Sequence, residues 1–95
     1  MAHFVYIMAS RPCGAIYIGS TRDLRARVEQ HRSGLPGSHT DRYNIRRLVW
    51  FEEHPDFASA FQRELQMKEW QRNWKVRLIV AVNPEWRDVT ADIPF

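Results

Sequence analysis

Length, composition and charge restrict this chain to a small protein of a reducing compartment. Its 95 residues suffice for one domain, and four Trp, five Phe and three Tyr can supply much of one compact core. The single cysteine excludes an intramolecular disulfide and argues against a cysteine-based zinc site, and no apolar run is long enough to span a bilayer. We therefore expect a cytoplasmic protein without a secretory signal or a membrane partner, in which residues 1–95 form one domain.

Positive charge is concentrated in the first half of the chain. Residues 1–50 contain eight arginines against three acidic residues, whereas residues 51–95 contain six basic and eight acidic residues. Arginine is suited to bidentate contact with phosphate. The charge pattern indicates a nucleic-acid partner about as strongly as it indicates a solvated basic surface.

Two strands and a helix are predicted at the start of the chain. His3–Ala9 and residues 15–19 are rich in β-branched and aromatic residues, and the turn residues between them predict a hairpin. Asp23, or the serine and threonine just before it, can cap a helix that runs to about Ser33. Residues 34–40 have the composition of a loop.

The second half predicts a third strand and a long helix. Residues 46–53 carry apolar side chains on both faces, which predicts a central position in the sheet. Asp56 can cap a helix that continues to about Asn73. Residues 74–82 fit the period of a strand and that of a helix, so their structure stays open at this point.

Four residues near the hairpin have side chains suited to phosphate chemistry. Tyr6 and Tyr17 lie on the paired strands, and Arg27 and His31 share one helix face because they are four residues apart. A guanidinium can stabilise phosphate charge, and an imidazole can bind phosphate or relay a proton. Strand tyrosines taken alone are more typical of core packing, and the basic face alone is equally compatible with a solvated surface.

Further residues are candidates for metal or nucleic-acid binding. Glu64 shares the apolar-facing side of its predicted helix with Phe57, Ala60, Phe61, Leu65 and Lys68. Its carboxylate suits Mg²⁺, although a salt bridge with Lys68 explains its position more simply. Asn83 can cap a helix or position a catalytic neighbour. The candidates for contacts with the nucleic-acid backbone are Arg25, Arg32, Arg46 and Arg47, and, in a loop more typical of a solvated segment, His39, Thr40 and Arg42.

Together these residues resemble the GIY-YIG nuclease domain. The first half of the family motif is replaced by Phe4-Val5-Tyr6, whereas Tyr17-Ile18-Gly19 retains the second half. The segment at 20–27 resembles the one that delivers the catalytic arginine of the family, and the segments at 35–44 and 83–86 are similar to those of its small stand-alone bacterial subgroup. The resemblance covers nearly the whole chain.

The resemblance implies an α+β fold, with a small central antiparallel three-stranded sheet flanked by helices and residues 74–82 partly helical. It also implies metal-assisted hydrolysis of phosphodiesters. Tyr6 would activate water with help from Tyr17 and His31, and Arg27 would stabilise phosphate charge. Glu64 would bind Mg²⁺ or Mn²⁺. Gly19 and Asn83 would support this site.

Three functions agree with these features. The first is an endonuclease acting on DNA, with branched or damaged forms and RNA left open as substrates. The second is a non-catalytic module that binds nucleic acid, and the third is a subunit of a repair or recombination complex. The presence of two tyrosines, an arginine, a histidine and a glutamate favours the enzyme, because binding alone does not require all five.

Overall fold

The computed structural model describes residues 2–33 and 43–94 of the chain. In chain order the elements are β1 (His3–Ala9), β2 (Ile16–Thr21), α1 (Leu24–Ser33), β3 (Arg47–His54), α2 (Phe57–Glu69), α3 (Arg72–Val82) and a 3₁₀ turn (Thr90–Asp92). The strands form one antiparallel sheet in the order β2-β1-β3. The predicted α+β fold with a three-stranded antiparallel sheet is therefore confirmed.

The central strand β1 is covered on both faces. All its residues from Phe4 to Ala9 are buried, and their side chains alternate between two apolar clusters. One cluster joins Val5, Ile7 and Ala9 to residues of β3, α2 and α3. The other joins Phe4, Tyr6 and Met8 to Leu24 and Val28 of α1. The sheet is thus packed between α1 on one side and α2 with α3 on the other.

The predicted central position of the third strand is wrong, because β3 lies at an edge of the sheet beside β1. Its apolar residues are nevertheless buried on both faces, since helices pack on each side. Its outer edge is covered by residues 83–94, which we call the C-terminal tail. The Val89 amide donates to the carbonyl of Leu48 at 2.8 Å, and the Asn83 side chain donates to the carbonyl of Val49 at 3.0 Å.

Aspartates begin the first two helices, as predicted. The carboxylate of Asp23 accepts a hydrogen bond from the Ala26 amide at 3.1 Å, and that of Asp56 accepts one from the Ser59 amide at 2.9 Å. Each aspartate satisfies an amide that has no partner within its helix.

The second helix is shorter than predicted. It ends at Glu69 instead of about Asn73, because Trp70 and Gln71 adopt extended backbone conformations before α3 begins. Residues 74–82 belong to α3, so the helix implied by the family resemblance is present. Within the described residues, no helix combines the length and apolarity needed to cross a bilayer.

The face of α2 that packs against the sheet is narrower than the sequence indicates. Its buried residues are Ala60, Glu64 and Met67. Three apolar residues predicted on the same face are exposed instead: Phe57, Phe61 and Leu65. At 3.6 residues per turn they lie about 60°, 100° and 140° around the helix axis from Ala60, so they point progressively away from the sheet.

Asn83 joins the end of α3, the tail and β3. Its side chain is 2% exposed. Its amide group donates to the carbonyls of Val49 and Arg87 at 3.0 and 2.8 Å, and its oxygen accepts from the Arg87 amide at 3.0 Å. No other residue type supplies two donors and an acceptor in this shape except the longer glutamine.

We predict that Asn83→Ala lowers the free energy of unfolding by about 1–3 kcal/mol, because it leaves buried backbone groups without partners. The matched control is Asn73→Ala on the exposed surface of α3, which should change stability by less than about 0.5 kcal/mol. Urea denaturation followed by tryptophan fluorescence measures both. Equal stabilities of the two variants would contradict the role assigned to Asn83.

Candidate active site at the outer edge of β2

The two tyrosines of the predicted site lie side by side on one face of the hairpin. Tyr6 of β1 pairs with Gly19 of β2, and Tyr17 is two residues from Gly19 on the same face. The ring centroids of Tyr6 and Tyr17 are 6.3 Å apart. Tyr6 is fully buried, whereas Tyr17 is partly exposed. The hairpin register therefore places the two phenol rings next to each other on one face of the sheet.

Gly19 is required because the ring of Tyr6 crosses directly over it. A Cβ atom at this position would lie 2.5 Å from the Tyr6 hydroxyl oxygen and 2.7 Å from the ring carbon that bears it. It would also lie 3.1 Å from the ring of Tyr17. The glycine of the motif is thus explained by a close approach between a side chain and the neighbouring backbone.

Helix α1 brings a histidine and an arginine to the same hydroxyl. His31 is 8% exposed, and its Nε2 lies 3.1 Å from the hydroxyl oxygen of Tyr6. The ring centroid of His31 is 5.2 Å from that of Tyr17. One helical turn earlier, the Arg27 guanidinium lies close enough to the Tyr6 hydroxyl for its positive charge to lower the pKa of the phenol. Four predicted catalytic residues thus meet at one point.

The protonation states of Tyr6 and His31 are set by burial. Burial, and secondarily the neighbouring Tyr17, raises the pKa of Tyr6 well above its ordinary value, although Arg27 opposes this rise. Burial, and secondarily the charge of Arg27, lowers the pKa of His31. At neutral pH a protonated phenol therefore faces a neutral imidazole, and the phenol can donate its proton to Nε2 of that ring.

Glu64 approaches the site from α2, on the other side of the sheet. Ser20 donates to one of its carboxylate oxygens at 2.6 Å, and the Lys68 ammonium lies 2.6 Å from the other. The carboxylate is close enough to Tyr6 for its charge to raise the tyrosine pKa. The site therefore straddles the outer edge of β2, with Tyr17 and Ser20 pointing to opposite faces of that strand.

The donor set at Glu64 fits a hard cation with few protein ligands. Among the described residues, no three His, Cys, Asp or Glu side chains are grouped as metal ligands. A single carboxylate suits Mg²⁺, which keeps several waters and also binds substrate phosphate. The salt bridge with Lys68, which the spacing favoured, is present. The Lys68 side chain is 46% exposed, so it has room to turn into solvent and leave the carboxylate.

The four described arginines predicted to bind nucleic acid make contacts within the chain. Arg46 donates to the carbonyls of His31 and Arg32 at 3.2 and 2.7 Å, which satisfies the C-terminal end of α1. The other three contact the C-terminal tail: Arg25 donates to the carbonyl of Ile93, Arg32 to the side chains of Asp88 and Thr90, and Arg47 to the carbonyl of Trp86. Their contact with nucleic acid stays a prediction.

The remaining predicted residues lie away from the site or outside the described part of the chain. Asn83 supports the fold at the far edge of the sheet, next to β3. His39, Thr40 and Arg42 lie outside the described residues. The sequence predicts Ser20 only as one of the possible caps of α1. Strand alternation was the available signal for its second role, since it places Ser20 on the face opposite Tyr17 and therefore towards Glu64.

Comparison with known proteins gives consistent matches. A family model described as the GIY-YIG catalytic domain matches residues 2–77. UPF0213 proteins of Staphylococcus aureus strains Mu3 and N315 are 36% identical over 78 residues, which cover 82% of this chain and 94% of each relative. The solution NMR structure of a UPF0213 protein from Bacillus halodurans aligns with a TM-score of 0.58 and 29% identity, over 95% of both chains.

We predict that Gly19→Ala lowers stability by about 1–3 kcal/mol, because the added methyl group must displace the ring of Tyr6. Part of this loss should disappear in a Tyr6→Phe background, which removes the atom 2.5 Å from the new Cβ. A double-mutant cycle by urea denaturation should give a coupling of at least about 0.5 kcal/mol. Strict additivity would contradict the close contact.

We predict that His31 also makes stability depend on pH. The pKa of His31 is lower in the folded protein than in the unfolded chain. At pH values between these two pKa values, the unfolded state therefore binds more protons than the folded state. Stability should therefore rise with pH from the lowered pKa up to about 6.5, the unfolded value. The slope should be smaller in His31→Gln, and NMR titration of the His31 ring should give the lowered pKa directly. A His31 pKa of 6.5 or more would contradict the prediction.

Proposed function

The chain belongs to the GIY-YIG family, and on this premise we propose that it is a metal-dependent endonuclease that hydrolyses phosphodiester bonds in DNA. The observation that carries the proposal is the convergence of Tyr6, Arg27, His31 and Glu64 at the outer edge of β2. A phosphate at this edge would be within reach of a proton acceptor, a fixed cation and a carboxylate that can bind metal.

The tyrosine and the histidine would act as a pair in activating water. Tyr6 alone is a weak base because burial keeps its hydroxyl protonated at neutral pH. Its contact with a neutral imidazole offers a route for the proton, since Nε2 of His31 lies 3.1 Å from the hydroxyl. The attacking water would give its proton to the Tyr6 oxygen while the tyrosine proton passes to His31. Tyr17 would restrict both rings by packing against them.

Arg27 and Glu64 would serve the phosphate and the metal. Arg27, held beside the Tyr6 hydroxyl, would stabilise the charge that develops on the phosphate oxygens in the transition state. Glu64, oriented by Ser20, would hold Mg²⁺ or Mn²⁺ after Lys68 turns away. A bound divalent ion would supply charge stabilisation for the leaving oxygen.

The arginines that contact the tail are compatible with binding to DNA. A guanidinium has five N–H donors, so one that anchors a carbonyl can still direct charge at a phosphate. Arg25, for example, donates to the tail at 3.2 Å and remains exposed. We propose that Arg25, Arg32, Arg46 and Arg47 contact the nucleic-acid backbone, and that His39, Thr40 and Arg42, which lie outside the described residues, do so as well. Phosphodiester chemistry is common to DNA and RNA, so the test includes both.

One observation favours a second candidate function, which is nucleic-acid binding without cleavage. Both oxygens of Glu64 already have partners within the chain, Ser20 and Lys68. If the salt bridge with Lys68 is stronger than the interaction with a divalent ion, the domain would keep its basic surface and lack turnover. The two functions differ in a single measurable property, the cleavage of a bound strand in Mg²⁺.

We predict that Glu64→Gln abolishes Mg²⁺-dependent cleavage and that Tyr6→Phe lowers the single-turnover rate by about 10² or more, the scale of lost general-base catalysis. Binding in Ca²⁺ should change by less than about threefold, since neither residue belongs to the exposed basic surface. The control is Glu69→Gln, an exposed carboxylate at the end of the same helix.

The substrates are labelled linear, nicked and branched DNA and a matching RNA, each with Mg²⁺ or EDTA. If the parent protein binds these strands and cuts none, it is a binding module. If Glu64→Gln cuts at the parental rate, the metal assignment is wrong. A parental rate in Tyr6→Phe would move the base role to Tyr17.

A further inference from the structure

Two exposed phenylalanines lie at the start of α2, close to the candidate active site. Phe57 is 57% exposed and Phe61 is 42% exposed, and each lies one helical turn from the other. Their rings are stacked, with centroids 5.5 Å apart and planes only 10° from parallel. Large apolar side chains that stay in water as a contiguous pair require an explanation, because most such residues are buried.

His3 adds an unsatisfied polar atom to this pair. Its ring meets the ring of Phe57 edge-on, with centroids 5.5 Å apart and an angle of 74°. Its Nδ1 is buried and has no hydrogen-bond partner among the described residues. Buried nitrogen atoms are nearly always paired in folded proteins. Within the described part of the chain, His3 therefore lies against Phe57 with one ring nitrogen unsatisfied.

A cavity connects these residues to the proposed catalytic groups. It has a volume of about 390 Å³, and its walls include His3, Thr21, Arg22 and Phe57 together with Ser20 and Arg27 of the candidate active site. Ligand pockets are usually about 300–1,000 Å³, so the cavity can hold a group of nucleotide size. Two arginines against the single carboxylate of Asp23 favour an anion.

We propose that Phe57 and Phe61 bind an unpaired nucleobase next to the phosphate that Arg27 holds. The inference rests on the proposed function and specifies its substrate class. Aromatic side chains stack on bases of any sequence, and Arg22 would contact the phosphate of the same nucleotide. A base inside a duplex has both faces covered by its neighbours. The substrate is therefore a strand with unpaired nucleotides at the cleavage point, such as a single strand, a flap or a gap.

The test measures binding in EDTA, so that it does not depend on cleavage. The probes are a fluorescent single-stranded 12-nucleotide DNA, its duplex, and a strand of the same length whose central nucleotides lack bases. The variant Phe57→Leu/Phe61→Leu keeps the apolar bulk and removes the rings. The control is Leu65→Ala, which alters an equally exposed apolar residue further along α2. A second variant, Phe61→Trp, keeps an aromatic face.

We expect the double leucine variant to bind the single strand about tenfold more weakly, on the scale of one lost stacking contact. Its affinity for the duplex and for the strand without bases should stay within about twofold of the parent. Phe61→Trp and Leu65→Ala should bind the single strand like the parent. Since the rings are exposed, urea denaturation should show that every variant remains folded.

Three results would overturn the proposal. The first is an unchanged affinity of the double leucine variant for the single strand, and the second is an equal loss on the strands with and without bases. The third is self-association of the parent that only the double leucine variant abolishes, since this would assign the rings to a contact between copies. If the parent protein binds strands in a base-dependent way but cuts none of them, this inference stands and the proposed hydrolysis is rejected. Failure of the inference can therefore be distinguished from failure of the proposed function.

Discussion

The hydrogen bond between a buried phenol and a buried imidazole determines how the other elements must be arranged. Tyr6 lies on the central strand and is buried, so its hydroxyl needs a hydrogen-bond partner from another element. His31 can be this partner only if α1 is positioned so that the imidazole reaches the Tyr6 hydroxyl. Arg46 fixes the end of that helix through two carbonyls, and Gly19 leaves room for the phenol ring that crosses over it. Together these contacts maintain the 3.1 Å distance between the Tyr6 hydroxyl oxygen and Nε2 of His31.

Burial shifts the pKa values of these two groups in opposite directions. It disfavours the charged form of each, so the phenol keeps its proton and the imidazole lacks one. A site that holds a donor and an acceptor in these states needs little rearrangement when a proton moves between them. The positive charge of Arg27 lowers the pKa of both groups, which opposes the effect of burial on Tyr6 and adds to it on His31. Glu64 provides the opposing charge from the other face of the sheet.

The parts of the structure that depend on local spacing were predictable from the sequence. The shared face of Tyr17 and Gly19 on β2 follows from the two-residue period of a strand. The shared face of Arg27 and His31 on α1 follows from their four-residue spacing. The order of the sheet was not predictable in the same way, because two apolar faces indicate packing layers and not lateral neighbours. The pairing of β1 with β3, in which His3 lies opposite His54, joins parts of the chain that are distant in sequence. The arginine contacts with the tail were also inaccessible, since their acceptors are backbone carbonyls and side chains at residues 86–93.

The attachment of the tail to β3 has a consequence for solubility. The outer edge of a sheet presents unpaired backbone groups that can recruit a strand from another molecule, which is a common start of aggregation. In this protein Val89 and Asn83 occupy the carbonyls of Leu48 and Val49 in the most apolar part of that edge. Further along the same strand, the exposed Glu53 adds a negative charge. The tail thus acts as a gatekeeper against edge-to-edge assembly, independently of any part it has in holding α1.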